Sequence, residues 1–130
     1  MRRLPALWAL AFLFLCVGQE KRKPRPAELE LVEFKALRNE SKVLIDGKLR
    51  NTGDATARNV VLIFQFVAPD NKVVATRKAD IEPEEIEPGD DATFMLETPF
   101  PARAVAIRME TYDRNERWIN LAKNGPYPIE

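Results

Sequence analysis

From Glu28 onward, apolar side chains recur at every second position, and no stretch keeps the 3.6-residue spacing of a helix. Leu29 and Leu31 alternate with Glu28 and Glu30, after which the apolar register slips to Val32, Phe34 and Ala36. That slip predicts a bulge in a first strand that ends at Asn39-Glu40. A second strand is expected over about 42–51, with Val43, Ile45, Gly47 and Leu49 on its inner face. The turn cluster Asn51-Thr52-Gly53-Asp54 follows. The third strand, 59–67, is apolar on both faces. Val60, Leu62, Phe64 and Phe66 form one, and Val61, Ile63 and Val67, interrupted by Gln65, form the other. Such a run fits a central strand.

Pro69-Asp70-Asn71 turns the chain into a fourth strand, 72–81, and an acidic loop over 80–91 ends at Pro88-Gly89. A fifth strand carries Ala92, Phe94 and Leu96 inward. In a sixth, Val105, Ile107 and Met109 oppose Arg108, Glu110 and Tyr112. Asp113-Arg114-Asn115-Glu116 turns into a seventh, 117–122, with Trp118. Asn124-Gly125-Pro126-Tyr127-Pro128 reads as a tail unable to continue a ladder, so residues 124–130 are expected outside the domain at 28–123. About seven short strands with regular turn signals predict an all-β fold, an antiparallel two-sheet sandwich.

These residues carry a resemblance. Asp46-Gly47-Lys48-Leu49-Arg50-Asn51-Thr52-Gly53, then Ala57-Arg58-Asn59-Val60 with its β-run, then Ile86-Glu87-Pro88-Gly89 before Phe94, resemble the FxLYD family of bacterial immunoglobulin-like domains. Phe64-Gln65-Phe66-Val67 stands at the family's naming motif, with Val67 in place of tyrosine. The resemblance covers about 31–109 and implies an immunoglobulin-like sandwich. The family has no general activity or catalytic residues to carry over.

The chain ahead of the strands changes the address. Arg2 and Arg3 precede an apolar run of 14 residues, Leu4 to Val17, which breaks at Gly18-Gln19-Glu20. A basic start, an apolar run and small residues at Cys16 and Gly18 predict a secretory signal peptide over 1–18. The run falls short of the ~20 residues that span a bilayer. Export to the periplasm or medium is the main expectation. Acylation of Cys16 and retention of the signal as an anchor are the alternatives, and they are the routes to membrane contact. Gln19 to Ala27 reads as a polar, proline-containing linker with a basic tetrad, Lys21, Arg22, Lys23 and Arg25.

Composition narrows the chemistry. Loss of Arg2 and Arg3 from 20 basic residues against 20 acidic leaves 18 against 20, a net −2 that disfavours nucleic acid. Histidine is absent and the only cysteine lies in the signal, so histidine-dependent nucleophilic catalysis has no base. No enzyme and no cofactor are expected. The acidic loop holds seven carboxylates, Asp80, Glu82, Glu84, Glu85, Glu87, Asp90 and Asp91, the donor type calcium takes. Their spacing matches no EF-hand, and Pro83 and Pro88 hold the segment extended, so a solvated loop is the main reading. Asn39-Glu40-Ser41 is a sequon in a predicted turn.

The remaining candidate is a surface. Val61, Ile63 and Val67, joined by Tyr112 and Trp118, form an apolar strip if that face lies outside the core, and strips of this kind mark partner binding. Otherwise the face is buried or covered by the tail. The expected function is therefore an exported, non-catalytic module that binds another envelope or secreted protein. The alternative is an extracellular carbohydrate- or calcium-binding module.

Overall fold

A computed structural model describes residues 24–130, and every regular element among them is a strand. The expected signal peptide and most of the linker lie outside the described residues. In chain order the strands are β1 Glu28–Asn39, β2 Lys42–Asn51, β3 Val61–Val67, β4 Val73–Glu82, β5 Asp91–Pro99, β6 Ala106–Tyr112, β7 Trp118–Ala122 and β8 Tyr127–Pro128.

Alternation decides the inner faces. On β2, Val43, Ile45 and Leu49 are fully buried, and on β3, Leu62, Phe64 and Phe66 are as well. The Phe64 and Phe94 rings meet at 5.7 Å between centroids. Gly47 sits opposite Phe94 because a Cβ there would lie 2.4 Å from the Phe94 ring and 2.3 Å from the Glu33 carbonyl oxygen. The slip in β1 is a bulge between Leu31 and Glu33, which hands the inner face from Leu29 and Leu31 to Phe34 and Ala36.

The strands do not form an open immunoglobulin-like sandwich. Their order is β3-β4-β5-β2-β1-β7-β6, and β6 pairs back onto β3, so seven strands close into a barrel. Two strands serve both halves. β4 runs antiparallel to β3 over Val61–Val67, then its last residues, Ile81 and Glu82, pair with Phe94 and Thr93 of β5. β7 pairs with the end of β6 on one side and, parallel, with Glu28–Glu30 of β1 on the other. Side-chain alternation is the same in a sandwich and a flattened barrel. What differs is the pairing at strand ends, and that closes the circle here.

The C-terminal segment is also part of the fold, not a tail. β8 pairs with Ala106 and Ile107 of β6, beside β7 on the same edge. Beyond it, Ile129 N–H bonds to Val105 O at 3.1 Å, Glu130 N–H to Ala36 O at 3.0 Å, and Arg38 N–H to Glu130 O at 2.8 Å. Residues 127–130 thus fill the slot between β6 and the far end of β1. Tyr127 stacks near Phe34 at 5.2 Å, so the segment folds back over β1 and leaves the outer face of β3 open.

Asn51 is buried at the top of the barrel. Its Nδ2 donates to Ala55 O and Ile86 O, both at 2.8 Å, and its Oδ1 accepts from Gly53 N–H at 3.0 Å. An antiparallel bridge between Ala57 and Ile86 joins the same two loops, and Ile86 is fully buried. The acidic loop is therefore pinned to the core at its centre.

Candidate functional site

The outer face of β3 is floored by Val61 and Ile63, which point away from the Phe64 and Phe66 side. Register sets their neighbours. Val61 lies opposite Asp80 on β4 and Tyr112 on β6, and Ile63 lies opposite Lys78 and Glu110. Tyr112 in turn faces Trp118 on β7, and their rings meet edge to face at 5.1 Å and 89°. Trp118 is 58% exposed, the largest exposed aromatic surface among the described residues.

The β3 face, without Trp118, bounds a groove of about 570 Å³, within the size range of small-ligand pockets. Val61, Ile63 and Tyr112 floor it, Lys78 and Asp80 line the β4 side, and Arg114 and Glu116 of the β6–β7 hairpin close one end. The hairpin holds its shape because Asp113 Oδ1 accepts the N–H groups of Asn115 and Arg117, each at 2.9 Å. Arg114 reaches over to pair with Glu84 of the acidic loop. The Tyr112 hydroxyl donates to Glu110 Oε2 at 2.8 Å. That bond favours the protonated phenol and holds its pKa above the ordinary tyrosine value, so Tyr112 stays a neutral donor.

Four of the five residues expected to bind a partner therefore gather on one surface: Val61, Ile63, Tyr112 and Trp118. Val67 does not join them. It lies past the register shift with β4 and is buried at 3% exposure outside the main core cluster, and its carbonyl accepts Val105 N–H at 2.8 Å. Sequence reasoning did not place Lys78, Asp80, Arg114 or Glu116 at this face; Asp80 was counted only with the acidic loop. The first two follow once the β3–β4 register is known, but nothing in the sequence signals the long-range Arg114–Glu84 pair.

The acidic loop spreads its carboxylates among arginines. Glu84 pairs with Arg114, Glu85 with Arg58 at 3.2 Å, and Asp91 with Arg50 at 2.8 Å. The Arg50 hydrogen bond holds the Asp91 carboxyl below its usual range. Among the described residues no three acidic or cysteine side chains converge as metal ligands would, and calcium needs six to eight oxygens. The perpendicular Tyr112 and Trp118 rings also do not present the coplanar row on which a sugar chain stacks.

No protein-family model matches the sequence, and no curated protein does. Among solved structures, IrmA from Escherichia coli is similar at TM-score 0.49 and 12% identity, over 81% of this chain and 99% of that one. A β-glucosidase from Kluyveromyces marxianus in complex with glucose is similar at TM-score 0.40 and 18% identity, over 74% of this chain. The chain spans 13% of that enzyme's length. Neither likeness carries an activity to this chain.

Proposed function

We propose that this chain is an exported, non-catalytic β-barrel module that binds another envelope or secreted protein through the outer face of β3, β6 and β7. One observation carries the reading: Val61, Ile63 and Tyr112 line a concave, partly apolar groove, and Trp118, more than half exposed, packs edge to face on Tyr112 beside it. Aromatic anchors flanked by charged rims are the usual centre of a protein interface. Export rests on the basic and apolar layout of residues 1–18. The FxLYD relationship is likewise proposed, on the turn residues around Gly53 and Gly89.

The test compares capture by wild type and by Ile63→Lys from the envelope of the exporting cell. Ile63 is half-buried on the outside, so the lysine head can reach water and the fold should survive. Partners retained by wild type and lost by the variant, with an unchanged melting curve, support the surface. Equal capture by both proteins removes it. Mass spectrometry of the exported protein should find Gln19 at its start; an intact Met1 or a lipid on Cys16 would replace soluble export with anchoring.

A further inference from the structure

We infer that the groove on β3 takes an arginine side chain of the partner. This rests on the docking surface proposed above and specifies its chemistry. The floor, Val61, Ile63 and the Tyr112 ring, suits an apolar stem. The rim does not suit an apolar tip, because it carries charges the chain leaves unmatched. Arg114 is spent on Glu84, and Asp113 on the hairpin amides. Asp80, Glu116 and Lys78 have no ion-pair partner among the described residues, which leaves two carboxylates against one ammonium. Glu110, beneath the Tyr112 hydroxyl, adds further negative charge at the same face.

An entering group must therefore combine a hydrocarbon stem with a cationic head. Arginine fits better than lysine for two reasons. Its planar guanidinium can lie against the Tyr112 ring that lines the groove. It also sheds water more readily and offers a fork of donors to two carboxylates. A leucine or phenylalanine anchor would fill the floor and leave Asp80 and Glu116 unmatched. An acidic anchor would be repelled.

The test uses the 130-residue chain, with N-acetyl-arginine-N-methylamide as the probe. The Trp118 indole and Ile63 methyl resonances should shift saturably, with a Kd on the order of millimolar for so small a ligand. N-acetyl-glutamate-N-methylamide should leave them unmoved, and N-acetyl-leucine-N-methylamide should bind more weakly than arginine. Asp80→Asn with Glu116→Gln should weaken the arginine probe about fivefold or more, with other resonances unchanged. Both residues are exposed, so the double variant should fold. Leucine binding as tight as arginine, or arginine binding indifferent to the double variant, overturns the inference. Either result can stand beside a loss of partner capture in Ile63→Lys, in which case the docking surface survives and only its arginine anchor falls.

Discussion

The barrel closes at two seams, and they are built on different principles. At the first, β4 crosses to β5 through only two residue pairs, Ile81 with Phe94 and Glu82 with Thr93. Those few pairs lie over the core, since Ile81 is 1% and Phe94 4% exposed. Asn51 backs them from above by gripping the loop that joins the two strands. Lower down, β4 and β5 share no ladder, and the gap is bridged by a side chain, Arg77 Nε to Thr98 Oγ1 at 3.1 Å. At the second seam, backbone pairing joins both ends of β1. β7 pairs with the start of β1, and residues 127–130 continue toward its end. That segment is half-buried or exposed throughout. The first seam is held by burial; the second is buried where Leu29 meets Leu121, and at residues 127–130 it rests mainly on peptide hydrogen bonds at the surface. Burial resists local opening far better than a solvent-exposed ladder does.

The contrast fails or sharpens in a definite order. Ile81→Ala should cost about 2–5 kcal/mol, seen as a large fall in melting temperature, because it opens a cavity at the first seam. Ile129→Ala, at the half-buried second seam, should cost clearly less; the reverse ranking would break the comparison. Asn51→Ala should come next, at about 2–3 kcal/mol, since it removes the acceptor of the buried Gly53 N–H and two further hydrogen bonds to the loops. Ending the chain after Pro126 should leave a cooperative fold but strip hydrogen-exchange protection from the Arg38 amide, while the Ile81 amide stays protected. If both amides lost protection together, the second seam would be as integral as the first.

Smaller effects follow. Arg77→Ala should cost about 1 kcal/mol and quicken exchange along the unpaired edge of β5. The smallest change concerns pH. Asp91 has its folded pKa depressed by Arg50, so its contribution is present above the unfolded carboxylate range and is lost as pH falls through the lower folded value. Arg50→Gln should flatten that acid limb of a stability–pH curve slightly, because the pair is solvent-exposed.

Much of the fold was legible because burial follows a period of two. β2 begins and ends where the turn residues place it, and the β1 bulge shows as a slip in apolar register. Val105 is a miss of the same rule. It continues the alternation of Ile107 and Met109, yet it lies before β6 begins and is 46% exposed. The prolines at 126 and 128 misled for another reason. Proline cannot donate, but a two-residue edge ladder needs few donors, and the flanking amides of Ile129 and Glu130 supply the rest. At the site, the apolar strip on β3 could be read directly. Val67 was included because nothing local marks the burial that removes it from that face.

By itself the sequence determined which side of an alternating strand such as β2 meets the core, since a single-residue shift would expose its apolar groups at once. It also determined the absence of imidazole chemistry. Tertiary structure decided which strand ends meet, and so whether two sheets stay open or join into a ring. Those meetings involve backbone groups that every residue possesses, and composition leaves no imprint of them. The charged rim around Val61 and Ile63 belongs to the same class: it exists only because distant hairpins arrive at one place.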